Sequence, residues 1–236
     1  MNAVRAIAWK ELRIALDTPL GYVAAVGFLL ASGFFFGRGL FLIGQAQMRS
    51  WFEVMPLLLM FFVPAVCMRL IADELRDGTF ELLATQPVAE HEIVLGKYLG
   101  AVAQLALWLA LTLLYPASLW MLADPDLGAI AAGYLALFGL AAVDAAVCLF
   151  ASTLTRHAVV AYVVGFGILF ALWLMQKAAA LFSPQVQDLI AWMSPLAHYE
   201  AMLRGVVGAE DLAAFVAWSG AFLAAAWLRL EARRWA

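Results

Sequence analysis

Charge is scarce in this sequence: Asp, Glu, Lys and Arg make up 13% of its 236 residues, about half of what soluble chains carry. With 66% of residues hydrophobic and a mean hydropathy of +0.92, a soluble globular domain is excluded, and the class is an integral membrane protein of one bundle-sized unit. There is no Lys/Arg cluster of the kind a phosphate backbone needs, and the net charge of -3 offers nothing to nucleic acid. Cysteine is nearly absent. Cys67 and Cys148 fall inside apolar runs and read as small buried hydrophobes rather than half-cystines. Neither C-x-x-C nor a Cys/His ligand spacing occurs, and His91, His157 and His198 are scattered, so no metal site is expected. No G-x-x-x-x-G-K-[ST] occurs either; a nucleotide driving this chain would be held by another polypeptide. A cleaved signal peptide is not expected, because the first apolar run starts near Leu20, is too long, and follows an acid-containing polar segment.

What the sequence does have is long apolar runs. A span needs about 20 such residues to cross roughly 30 Å of hydrocarbon. Six segments qualify, over 20–42, 54–73, 94–122, 127–154, 157–181 and 211–229. Each is expected to be helical, since an open strand leaves its backbone groups unpaired in lipid. With the N-terminus inside, the cytoplasmic side collects ten basic residues (Arg5, Lys10, Arg13, Arg69, Arg76, Lys97, Arg156, Arg229, Arg233, Arg234) against four outside (Arg38, Arg49, Lys177, Arg204). That excess predicts both termini in the cytoplasm.

Three segments outside the spans have character. Residues 2–17 read as a helix with Val4, Ala8, Leu12 and Ala15 on one face and Lys10, Arg13 and Asp17 opposite, suited to lying along the cytoplasmic membrane surface. Glu11 and Arg5 flank the apolar face and spoil the pattern. In the second segment Gly78 breaks the helix leaving the membrane, Thr79 caps a new one over residues 80–86, and Pro87 stops it. Two turns are too short to stand alone in water, so something must pack against Phe80, Leu82 and Leu83. The third, residues 183–210, carries two Ser-Pro pairs that each place proline in the first turn of a short outer-side helix.

Candidate chemistry is sparse. Asp144 is the carboxylate deep in a span; insertion there costs roughly 2.5 to 3.5 kcal/mol, so it should face the bundle interior, a partner or water. It reads either as a translocation-path residue or as a packing residue. Arg69 is spaced to pair with Asp73 at i+4. Gly96-x-x-x-Gly100 and Gly33-x-x-x-Gly37 permit close helix crossings, in a dimer contact among other uses. Pro56, Pro64 and Pro116 are expected to kink their spans, and Trp51, Trp108, Trp120, Trp173, Trp192 and Trp235 to sit in interfacial belts or face lipid. His198, Glu200 and Arg204 come nearest to an enzyme-like cluster, but their spacing does not bring them to one helix face. A proton- or ion-coupled secondary transporter using Asp144 is the alternative to an ATP-driven assembly, and it would be expected to show inverted repeats and several intramembrane charges.

The whole layout resembles the ABC-2 type permease, the membrane subunit of ABC exporters. "KELR...TPLGYV" (10–23), "MRLIADELRDGTFELLATQPVAEHEIVLGKYLGA" (68–101) and "SPLAHYEAMLRGVV" (194–207) resemble the gliding-motility-associated, GldF-type branch in particular. The resemblance implies an all-α fold of six transmembrane helices forming one permease domain: an interface helix (1–18), a cytoplasmic coupling segment (74–93) and short extracytoplasmic helices (183–210). It implies that Glu74, Arg76, Gly78, Thr79, Phe80, Glu81, Leu82, Leu83 and Pro87 meet a separate ATPase subunit, with Lys10, Glu11 and Arg13 in the interface helix beside them. Catalytic residues and cofactors are not expected in this chain; ATP and Mg would be bound by the partner. Implied partners are two ABC ATPase subunits, a second permease copy or a related permease, and an auxiliary GldG-like membrane protein with a large extracytoplasmic domain. The implied location is a bacterial inner membrane, and the work is substrate export or envelope remodelling. Ala89 departs from the family's usual Ser or Thr, weakening the third span's cap by about 1 kcal/mol.

Overall fold

The computed structural model describes residues 3–41, 48–78, 89–120 and 126–234. In order these form α1 (Ala3–Asp17), α2 (Pro19–Phe41), α3 (Arg49–Cys67), α4 (Ala72–Asp77), α5 (Glu90–Thr112), α6 (Leu114–Trp120), α7 (Leu127–Leu154), α8 (Ala158–Ala178), α9 (Pro184–Met193), α10 (Pro195–Met202) and α11 (Ala209–Arg234). Among the described residues six stretches are long and apolar enough to cross a membrane: Gly21–Leu40, Arg49–Asp77, Glu90–Trp120, Leu127–Leu154, Ala158–Ala178 and Ala209–Ala232. The expected spans match these within a few residues. The second starts earlier than expected, at Arg49, and the added turn carries an exposed Arg49–Glu53 i+4 pair at 3.4 Å. The third starts at Glu90, where Glu92 Oε2 accepts from the Ala89 N–H at 3.0 Å. Half of a capping box thus survives without a hydroxyl at position 89.

α7 is the hub, buried along most of its length, whereas α2 and α8 are largely uncovered by the rest of the bundle. Small residues make this possible, since a Cβ at Gly133 would lie 2.6 Å from the Phe52 ring and Ala136, Ala141, Ala145 and Ala146 let neighbouring helices approach closely. Around it pack α11, α8, α3, α10 and α5. Trp51 and Trp108 overturn the expectation of a belt: both are buried. Trp51 Nε1 donates to Ser32 O at 3.2 Å, and Trp108 stacks on Phe28. An indole whose N–H finds a carbonyl is a core residue as readily as an interfacial one. Trp120 and Trp192 are exposed, as expected.

Prolines inside helices leave the carbonyl four residues earlier without its partner. Pro116 frees Thr112 O, which accepts from the Tyr134 hydroxyl at 3.0 Å, and the helix breaks at Leu113 between α5 and α6. Pro56 frees Phe52 O, which accepts from Tyr199 Oη on α10 at 2.7 Å, while α3 runs on unbroken through Pro56 and Pro64. Burial and the nearby Glu200 and Glu53 charges push the Tyr199 hydroxyl well above its usual range, so it remains a donor. Tyr199→Phe should therefore cost about 1–3 kcal/mol, the penalty for a buried acceptor left alone. A thermal melt in detergent unchanged from wild type would refute this.

Candidate functional site

The site builds up from one glycine-lined groove. On α5, Gly96 and Gly100 lie one turn apart, and α1 beds directly onto them. A Cβ at Gly96 would fall 2.7 Å from Ile7 Cβ, and one at Gly100 would fall 2.7 Å from Glu11 Cβ. The G-x-x-x-G pair thus seats a helix of the same chain, whereas Gly33 faces the Tyr115 hydroxyl and Gly37 faces open space.

Between the two glycines Lys97 turns into this junction and is 2% exposed. Its Nζ donates to Glu11 Oε1 of α1 at 2.9 Å and to Glu74 Oε1 of α4 at 2.7 Å. The carboxylates are themselves 11% and 15% exposed. Pairing of this kind is what makes an ammonium tolerable away from water, and loss of one partner from such an arrangement typically costs about 3–5 kcal/mol. Glu11, which spoiled the amphipathic pattern of α1, is the residue that fastens it.

α4 is placed by a residue from elsewhere. The chain turns at Met68–Ile71, and Ile71, at the N-cap of α4, has no side-chain oxygen. Ser152 of α7 supplies one: its Oγ accepts from Ile71 N at 3.1 Å and from Ala72 N at 3.0 Å, and donates to Met68 O at 3.2 Å. At its other end α4 stops at Gly78, whose φ of 71° is left-handed and suits a residue without a Cβ. Arg69 and Asp73 make the expected i+4 pair at 3.9 Å, and Arg76 bridges Asp73 at 3.4 Å and Asp77 at 3.0 Å. Lys10 and Arg13 lie on the exposed face of α1, with Arg13 4.0 Å from Asp17.

Of the residues expected to meet a partner, the structure thus joins Glu11 and Glu74 through Lys97 and leaves Arg76, Lys10 and Arg13 exposed around them. Thr79, Phe80, Glu81, Leu82, Leu83 and Pro87 lie outside the described residues. In the sequence Lys97 is an inner-side basic residue and the last residue of the V-L-G-K stretch within the resemblance over 68–101, with no contact assigned to it. The signal for more was available, because a lysine that falls within an apolar span needs a partner or a path to water. Ser152 carried no such signal; a serine near the end of a span is commonplace.

Asp144 is buried on α7 and makes no hydrogen bond among the described residues. It borders a cavity of about 40 Å³ with Pro56, Met60, Ser194 and Pro195, room for a single water. The residues nearest to an enzyme cluster go separate ways. His198 Nδ1 meets Asp211 Oδ1 at 2.7 Å and its Nε2 meets Trp192 O at 3.0 Å, which ties α10 to α11 and α9. Glu200 instead accepts from Lys177 at 2.8 Å. Among the described residues no group of three His, Cys, Asp or Glu is placed to hold a metal ion.

A multi-pass helical membrane protein is defined by these spans, with its charged chemistry gathered at one end of the bundle around a helix lying against it. The family model of the ABC-2 family transporter protein matches residues 42–234, and the chain belongs to that family. It is a permease subunit of an ABC transporter, a membrane component that partners with an ABC ATPase subunit. No curated protein gives a significant match.

Proposed function

We propose that this chain is the permease of an ATP-driven exporter or envelope-remodelling machine of the GldF-type branch, moved by contact with its ATPase. The observation that carries the reading is the Lys97 clamp. Glu74 precedes residues 79–88 and Lys97 follows them, so both stems of that segment are fastened to each other and to α1 through Glu11. A push on residues 79–88 by a closing ATPase then displaces α1 and the inner ends of spans two and three together. Such a unit converts differential contact in two nucleotide states into a shift between two bundle arrangements.

In this reading Glu74, Arg76, Gly78, Thr79, Phe80, Glu81, Leu82, Leu83 and Pro87 form the ATPase contact, with Lys10, Glu11 and Arg13 on the interface helix alongside. ATP and Mg belong to the partner. One chain is half of the transmembrane unit: the little-buried α2 and α8 suit a second permease copy or a relative, with two ATPase subunits beneath. Basic residues at the α1 end favour termini on the cytoplasmic side of a bacterial inner membrane, and a GldG-like protein with a large extracytoplasmic domain would complete the assembly.

The experiment is co-purification of the tagged chain with the products of its neighbouring genes, followed by Leu82→Arg. A stoichiometric ATP-binding cassette protein is expected with the wild type, and the variant should lose transport-coupled ATP hydrolysis while its membrane fold persists. Reproducible absence of any such protein would return attention to Asp144 and ion coupling, and full coupling in Leu82→Arg would remove residues 79–88 from the mechanism.

A further inference from the structure

The charged junction opens into a cleft of about 720 Å³ bounded by α1, α2, α3, α5 and Tyr162 of α8. Its lining is sorted by depth. Near α1 and α4 it carries Lys10, Glu11, Arg69, Asp73, Glu74 and Lys97, three charges of each sign. Farther along, Val23, Ala24, Gly27, Phe61, Phe62 and Val66 make apolar walls. At this depth on α5, seven residues and about 10 Å beyond Lys97, stands Gln104. It is 8% exposed and its amide has no hydrogen bond to any described residue.

Other polar groups here are unspent as well. Glu74 Oε2 and Asp73 Oδ1 are buried and accept no hydrogen bond, although Arg76 Nη1 lies 3.4 Å from the latter. Lys10 has no partner among the described residues, and Arg69, 56% exposed, holds Asp73 only at 3.9 Å. Two buried carboxylate oxygens without donors are costly in a folded chain, and the Gln104 amide is left without a hydrogen bond to any described residue at the cleft. They indicate a ligand that brings donors at one end, an anion beside them, an acceptor farther in, and hydrocarbon.

We infer that this cleft binds a zwitterionic aminophospholipid of the phosphatidylethanolamine class from the adjoining leaflet. Its primary ammonium donates to Asp73 and Glu74, its phosphate sits between Lys10 and Arg69, a glycerol ester carbonyl accepts from Gln104, and one acyl chain lies along Ala24, Gly27 and Phe62. The order of groups down the cleft is their order along the lipid. The balanced lining disfavours a net anion. A quaternary choline has no N–H to offer Asp73 and Glu74, so Asp73 Oδ1 and Glu74 Oε2 gain no hydrogen bond from it. The inference rests on the cleft and goes beyond the ATP-coupling reading, with which it shares no measurement.

The test is native mass spectrometry of the full-length chain released from nanodiscs containing equal parts of phosphatidylethanolamine, phosphatidylcholine and phosphatidylglycerol with identical acyl chains. The wild type should retain phosphatidylethanolamine about tenfold over phosphatidylcholine, the scale of a charge-assisted hydrogen bond left unmade. Asp73→Asn should reduce that preference severalfold, and Ala24→Trp, which fills the apolar half, should abolish retention of the lipid. Equal retention of the three headgroups, including the case in which a second copy of the chain fills the cleft, overturns the inference. So does a preference for phosphatidylglycerol, or wild-type retention by Ala24→Trp. Because the headgroup comparison uses the unsubstituted chain, a variant that fails to fold does not weaken it.

Discussion

Replacing Lys97 by methionine is expected to release α1 from the bundle and uncouple the transporter. The substitution leaves Glu11 and Glu74, which share one ammonium at 2.9 and 2.7 Å, facing each other without a counter-charge. Removing one member of a buried charged set costs about 3–5 kcal/mol, chiefly the penalty on what remains. The comparison variants give the prediction its shape. Glu11→Gln should cost less, because Lys97 retains Glu74 as a partner. The triple substitution Glu11→Gln, Glu74→Gln and Lys97→Met should recover much of the stability, since a neutral set has no unpaired charge to bury. Hydrogen exchange over residues 3–17 reads the docking of α1, and transport-coupled ATP hydrolysis reads the mechanism. If the single Lys97→Met variant kept wild-type protection in α1, the clamp would be a passive contact. If the triple variant regained stability but remained uncoupled, the charges themselves would be needed for transmission.

Ser152→Ala has the next largest expected effect, although position 152 lies in a different helix from every residue of the junction. Two backbone donors, Ile71 N and Ala72 N, and one acceptor, Met68 O, depend on the Ser152 hydroxyl. The position is fully buried, so water does not replace what is lost. A cost of about 2–4 kcal/mol follows from buried groups at about 1–3 kcal/mol each, reduced by partial relaxation of the turn. The consequence for function is directional: α4 would lose its start, and with it the fixed position of Glu74. A cysteine pair bridging α1 and α4, oxidised in wild-type and Ser152→Ala backgrounds, measures this. Equal crosslinking in both would show that the Lys97 clamp alone orients α4, whereas Ser152→Thr, which keeps the hydroxyl, should behave more like wild type.

Much of the architecture was legible because lipid simplifies the code. Apolar runs of sufficient length had to be helices and had to span, so six of them could be counted without knowing how they pack. Of the prolines expected to kink their spans, Pro116 coincides with a break at Leu113 while Pro56 and Pro64 lie inside an unbroken α3, and Gly78 located the end of α4. The resemblance carried by residues 68–101 pointed to a permease before any coordinate, and the family match over residues 42–234 agrees with it.

What the sequence could not decide was partnership. Whether Gly96 and Gly100 served another chain or this one depended on where α1 lay, because a groove records that something packs in it and not what. Trp51 and Trp108 looked interfacial because composition has no direction; the carbonyl of Ser32 and the ring of Phe28 turned them inward. Glu11 looked like a flaw in an amphipathic helix, and Lys97 like one more inner-side charge. Their meaning came from Glu74, 63 positions from one and 23 from the other along the chain, and only the fold brings all three within hydrogen-bonding distance. Hydrophobic length is a local property that a sequence states outright, while a buried charge is tolerated through groups remote in sequence, so the span pattern was determined by residues in order and the clamp by residues in space.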